Sequence, residues 1–224
     1  MTNPLLVLRI GRAALRLVRD PNRLDEVIAM ADQLGNTPAL DGLLRHVETL
    51  PGGKAALADR PRVDVDLPRL RALPDGTFGR ETARFLDARG LDPADLPKRA
   101  AGDARAWLRA HLYESHDLWH VVTGFDTDVA GELGLQAFYL AQLPGRLAAA
   151  ILAIAMTNTF LYAFDERDAR MDAVVRGWQL GKTARPLLAV RWADLWELPL
   201  AEVRARLGLG DAATARPVAA AAAA

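Results

Sequence analysis

The chain has 224 residues, enough for one domain with a substantial core or, at a stretch, two small ones. Lys plus Arg and Asp plus Glu number 28 each, so no basic excess points to nucleic acid as a partner. There is no cysteine, which excludes disulfides, thiolate metal sites and a cysteine nucleophile. Any metal must therefore sit among His and carboxylates, which favours zinc, iron, manganese or magnesium.

The N-terminus lacks the long apolar run and small-residue cleavage site of a secretory signal, and its arginines give only a faint likeness to a transit peptide. It reads better as a mature amphipathic helix opened by Pro4 and closed by Asp20-Pro21. Arg9, Arg12, Arg16 and Arg19 recur at three- and four-residue steps and share one face, while Leu5, Leu8, Leu15 and Val18 lie elsewhere on the surface. Such a helix suits either an anionic bilayer or a core whose outer Arg face is solvated or ion-paired.

Short helices are predicted over Leu24 to Leu34 and Asp41 to Leu50, with Gly35-Asn36 and Pro51-Gly52-Gly53 as breaks. Asp59 to Gly79 is rich in Pro and Gly and reads as an extended connection. A short helix follows from Thr82 to Ala88, then a turn or brief helix starting at Asp92-Pro93. The pattern is helical from Asp103 to Val122, ended by Gly124, and again from about Val129 to Leu143, with Asp126 and Asp128 as caps and Pro144-Gly145 as the break. Leu147 to Phe164 is the most apolar run, but Thr157, Asn158 and Thr159 interrupt it, so it reads as a buried central helix rather than a membrane span. A helix to about Arg176 precedes a turn at residues 177–182, and the last helix starts at Pro199. Strand patterns are almost absent. The expectation is an all-α, single multihelical domain over 1–210, with a loop-rich segment before the metal-binding helices and a flexible tail at 211–224.

His116-Asp117-Leu118-Trp119-His120 puts two imidazoles on one helical face, the spacing by which a helix offers two nitrogens to one ion. Glu132 follows on the next predicted helix, and Gly124 lets the chain reverse between them. Two neutral His with Asp117 and Glu132 balance a divalent cation. The bland alternative is a pair that faces solvent, or packs in the core against local acids. His111 is at most a supporting residue and His46 a structural one. Glu114 reads as solvated.

The stretch HDLWHVVTGFDTDVAGE resembles the HDxxH-x11-E signature of the ubiquinone (coenzyme Q) biosynthesis protein 4 family. LPDGTFGRETARFL at 73–86, LGLQAFYLAQLPG after Glu132, and the closing GKTARPLLAVRWADLWELPLAEVRARLGL are similar to its other blocks. The resemblance implies that His116, Asp117, His120 and Glu132 ligate a metal, usually zinc. It also implies an all-α fold, a homo-oligomer, and a peripheral place on the membrane where ubiquinone is made. That is the inner face of a bacterial cytoplasmic membrane, or the matrix side of the mitochondrial inner membrane. The implied activity is oxidative decarboxylation at carbon 1 of a prenylated hydroxybenzoate ring; the alternative is a lipid-binding scaffold for other ubiquinone-biosynthesis proteins, with a structural metal. A polyprenylated ring lipid needs an apolar groove, which the 147–164 run can line. Its carboxylate needs a cation, for which Lys182, Arg185 and Arg191 are candidates, each equally explained as a surface or ion-pair group. A zinc peptidase is disfavoured, because Asp117 stands where such a helix carries Glu.

Overall fold

The structure, a computed structural model, describes residues 4–21, 23–35, 39–95 and 99–210. The tail read as flexible, and Asn36 of the predicted break, lie outside these. In chain order the helices are α1 (Pro4–Arg19), α2 (Leu24–Gly35), α3 (Ala39–Thr49), α4 (Gly53–Asp59), α5 (Leu67–Arg71), α6 (Phe78–Asp87), α7 (Ala104–Glu114), α8 (His116–Thr123), α9 (Val129–Gln142), α10 (Arg146–Tyr162), α11 (Arg167–Thr183) and α12 (Leu200–Arg206). Single 3-10 turns lie at Pro93–Asp95, Phe164–Glu166 and Trp192–Leu195. One isolated antiparallel bridge joins Thr77 to Pro199, and no strand occurs among the described residues, so the all-α class holds. The chain forms two compact units, one from the described residues of 1–43 with 126–182, the other from those of 44–125 with 183–214.

In the first unit α10 packs on α1 and α9, and α2 packs on both α1 and α10. Ala13 and Leu17, one turn apart on α1, are buried there, while Arg9, Arg12, Arg16 and Arg19 are exposed and Arg16 pairs with Glu26. The core-facing alternative for α1 therefore describes its C-terminal half, and the Arg face points outward. No single helix among the described residues is long and apolar enough to cross a membrane.

The 147–164 run is less buried than its composition predicts. Only Ala148, Ala155, Asn158 and Thr159 of α10 are buried, and Phe160 is 73% exposed. An Ala-rich helix covers one narrow stripe, and its remaining sides are left outside. Two of the three polar residues, Asn158 and Thr159, have a definite purpose. Asn158 Nδ2 donates to the Val18 carbonyl near the end of α1 at 2.9 Å, and the buried Arg170 donates to Asn158 Oδ1 and Thr159 Oγ1 at 2.7 and 2.9 Å. Glu166 balances Arg170 at 2.8 Å, so a cation inside the unit is paired and hydrogen-bonded.

The turn predicted at 177–182 is not there; α11 continues through it. Gly177 and Gly181 are buried where α11 presses on α9. A Cβ at 177 would fall on the Gly134 carbonyl, 2.7 Å from its carbon, and one at 181 would lie 2.8 Å from the Phe138 oxygen. These glycines permit close helix approach, a use that looks like a break in a sequence.

In the second unit α6 and α7 both pack on α8, and α12 packs on α6 and α8. Thr77 caps α6 and Asp103 caps α7, each accepting from the backbone three residues on. The Pro-rich connection is not wholly extended: it contains one short helix, α5, capped by Asp66 and carrying Pro68 in its first turn. The connection is pinned along α7: Trp107 Nε1 donates to the Pro61 carbonyl at 2.9 Å, and Arg62 Nε donates to Glu114 at 3.0 Å. Glu114, read as solvated, is thus an ion-pair partner. Phe78 is fully buried, stacked on Trp196 with centroids 5.0 Å apart and tilted against Trp192 at 5.8 Å.

Candidate metal centre

The helix predicted as continuous from Asp103 to Val122 is divided at Ser115. Its amide and hydroxyl both return to the His111 carbonyl, at 2.9 and 2.7 Å, and a new helix, α8, begins at His116. Gly124 closes α8 in the left-handed region, φ 70°, with its N–H on the His120 carbonyl at 2.8 Å.

The four-residue spacing brings the two imidazoles together. His116 Nε2 and His120 Nε2 are 3.3 Å apart, with the ring planes at 86°. Two nitrogens each about 2.0–2.1 Å from one tetrahedral zinc are separated by about 3.3–3.4 Å, so the pair fits a shared ion. His120 Nδ1 lies 3.2 Å from the Phe125 carbonyl. A carbonyl only accepts, so this contact suits the tautomer with its proton on Nδ1, the arrangement that orients metal-binding histidines. His120 is buried, and its ring stacks on Phe85 of α6 at 5.7 Å, with the Arg89 guanidinium 3.7 Å over the Phe85 ring. Neither Phe85 nor the Phe125 carbonyl was singled out from sequence. Phe85 does lie in the 73–86 block, where its position three residues after Thr82 gave no hint of an imidazole neighbour.

Asp117 is half-buried in the first turn of α8, about 100° round the helix from His116, so it flanks the imidazole pair. Glu132 belongs to the first unit, on the first turn of α9, which Asp128 caps by accepting from Gly131 N at 2.7 Å. It is half-buried and lines a shallow pocket, open to solvent on one side, whose walls include Leu17, Val27, Leu133, Ile151 and Ile154. Asp128 is thus the helix cap the sequence suggested.

The three candidate cations are all exposed. The Lys182 ammonium lies 5.8 Å over the Trp178 ring, and Arg191 pairs with Asp59 at 2.7 Å. Arg185 is likewise exposed, with its backbone N–H on the Leu207 carbonyl. His111 stacks on Trp107 at 4.9 Å; its nitrogens face the Pro61 and Leu188 carbonyls without good hydrogen-bond geometry. Burial holds its pKa below the ordinary value of 6.5, because charging it there loses solvation.

Comparisons with known proteins agree with these elements. The model of the family described as Coenzyme Q (ubiquinone) biosynthesis protein Coq4 matches residues 4–213. The mitochondrial ubiquinone biosynthesis protein COQ4 homolog 1 of Culex quinquefasciatus is 30% identical, over 92% of this chain and 75% of its own length. The mitochondrial COQ4 homolog of Xenopus tropicalis is 32% identical over 91% and 73%. A crystal structure from Nostoc punctiforme, of a protein provisionally named for ubiquinone biosynthesis, superposes with a TM-score of 0.77 at 31% identity, covering 90% of this chain and 97% of that one. A match over nearly the whole described chain, with the imidazole pair at its middle, places the protein: it belongs to the Coq4 family of coenzyme Q (ubiquinone) biosynthesis proteins.

Proposed function

We propose that the protein works in ubiquinone biosynthesis as a metal-dependent enzyme on a prenylated hydroxybenzoate-type ring, removing the carboxyl group at carbon 1 and leaving a hydroxyl. The observation that carries this reading is the pair of Nε2 atoms 3.3 Å apart, one on a ring whose Nδ1 faces a carbonyl. By the resemblance to the family signature, His116, His120, Asp117 and Glu132 are the groups that would hold the ion, two neutral imidazoles and two carboxylates against a divalent charge. Bound there, a divalent ion supplies Lewis acidity toward the ring's oxygens.

In the overall exchange the ring–carboxyl bond breaks, carbon dioxide leaves, and carbon 1 gains a hydroxyl. With water as the oxygen source, the acid and one water give the phenol, carbon dioxide, two protons and two electrons, so a two-electron acceptor is a required co-reactant. The chain's own part is to hold the ring and shelter its tail. The apolar pocket beside Glu132 offers aliphatic walls for a prenyl segment, with one carboxylate at its edge. The exposed Arg stripe of α1 supports an electrostatic dock on an anionic membrane, since Ala13 and Leu17 are already committed to the interior.

The test is the purified protein, its bound metal quantified, incubated with the prenylated acid and an acceptor, with product read by mass spectrometry. Metal in the wild type, and loss of both metal and product in His116→Ala, is the expected result. Loss of metal with product formation unchanged overturns the catalytic role, and metal without any turnover favours the scaffold.

A further inference from the structure

The LPDGTFG segment at 73–79 is explained neither by the imidazole pair nor by the pocket. Its backbone forms a clasp on the C-terminal segment. Phe78 N donates to the Leu198 carbonyl at 2.8 Å, Gly79 N to the Trp196 carbonyl at 2.9 Å, and Leu200 N to the Gly76 carbonyl at 2.9 Å. Gly76 is in the left-handed region, φ 82°, and a Cβ on Gly79 would meet Leu70 and Leu73 side chains within 3 Å and the Trp196 oxygen at 3.1 Å. Gly76 is therefore required by the turn of the clasp, and Gly79 leaves room for the Leu70 and Leu73 side chains and the Trp196 carbonyl beside it. Phe78, stacked on Trp196, fixes the same junction from its side-chain face.

Directly after the clasp, α12 sends Arg204 to the end of α8. Its Nε donates to the Val122 carbonyl and its Nη2 to the Val121 carbonyl, both at 3.0 Å. These are last-turn carbonyls with no partner inside α8. Thr123 Oγ1 and Gly124 N close the turn around His120, donating to the Trp119 and His120 carbonyls at 2.6 and 2.8 Å. A guanidinium suits two consecutive carbonyls through its rigid fork, and a cation at this helix end is favoured by the aligned peptide dipoles. Burial weakens the hold on the Arg204 proton, with Glu81 opposing. The same α6 that bears the clasp also stacks Phe85 on His120.

We infer that Arg204, seated by the 73–79 clasp, is a positioning residue for the His116–His120 pair: it fixes the end of α8 and so the separation and tilt of the two imidazoles. The metal arm of the test rests on the proposed metal centre; the other arm does not. Arg204→Ala, Arg204→Lys and, as a core lesion on another helix, Val47→Ala are compared with the wild type. In metal-free protein, the ring resonances of the four histidines are followed by nitrogen-15 NMR. Arg204→Ala is expected to move the His116 and His120 signals and leave His46 in place. Arg204→Lys, keeping the charge without the fork, moves them less, and it reports on the site should the alanine variant fail to fold. Val47→Ala lowers the melting temperature without moving either signal. In Co²⁺ titrations, Arg204→Ala is expected to bind about 10- to 100-fold more weakly, with an altered visible absorption band. Unmoved imidazole signals in Arg204→Ala, or equal movement in Val47→Ala, overturn the inference. A wild type that binds no Co²⁺ refutes the metal reading instead, and the NMR comparison still decides Arg204.

Discussion

Gly177→Ala and Gly11→Ala are the same chemical change in two helix interiors, and the structure gives them opposite signs. At position 177 the added methyl would sit 2.7 Å from the Gly134 carbonyl carbon. That is about 1 Å inside the ordinary carbon–carbon separation of 3.5–4.0 Å. The obstacle is backbone, which no rotamer change can move, so α11 must lift from α9. Overpacking of this kind costs about 1–3 kcal/mol, and the rigid neighbour argues for the upper end. Replacing glycine in a helix returns about 1 kcal/mol, leaving a net loss of about 2 kcal/mol. For a chain of this size that lowers the melting temperature by roughly 4–8 °C. At Gly11, exposed on α1, nothing lies within 4 Å of the new methyl, so only the gain remains: about 1 kcal/mol, or roughly 2–4 °C upward. Thermal melts by circular dichroism read both. A Gly177→Ala protein as stable as the wild type would refute the packing of α11 on α9 described above.

His111 makes stability depend on pH in a defined direction. Its folded-state pKa is depressed below 6.5, so as pH falls through that value the unfolded chain takes up a proton that the folded chain does not. Stability then declines, by up to about 1.4 kcal/mol per pH unit for this one group. Urea unfolding of His111→Phe, which keeps a ring against Trp107, should decline less steeply than the wild type between pH 7 and 5; identical slopes would count against a buried neutral His111. Phe78→Ala should cost about 3–5 kcal/mol in the same assay, because a fully buried ring between two tryptophans is lost. Binding to vesicles containing anionic lipid should weaken when Arg9, Arg12 and Arg19 are replaced by Gln, by about 1 kcal/mol per residue at low salt, with neutral vesicles unaffected. Binding that ignores charge would contradict an electrostatic dock on α1.

What was legible in the sequence is what local rules determine. Helix α9 shows in Asp128 at its start and Pro144 after its end, and the imidazole pair follows from a four-residue spacing that any α-helix places on one face. The misreadings share a different cause, which is that the residue's partner lies far along the chain. Gly177 looks like a turn because its reason, Gly134, is 43 residues away. Asn158-Thr159 looks like a flaw in an apolar helix until Arg170 and the Val18 carbonyl are in place. Ser115 divides α7 from α8 within an apolar pattern that continues straight across it. Each compact unit is assembled from separate stretches of the chain, and no linker composition marks the crossings at 43, 125 and 182. Of the site, the imidazoles were readable, but the carbonyl of Phe125 and the ring of Phe85 were not, because neither spacing nor residue type distinguishes them from ordinary core.

The most direct test of the account is Zn²⁺ binding by the purified metal-free protein, measured by calorimetry beside His120→Ala. One ion per chain in the wild type, and none in the variant at unchanged helix content, is the predicted outcome. An absence of binding in the wild type, or a site that survives His120→Ala intact, would contradict it.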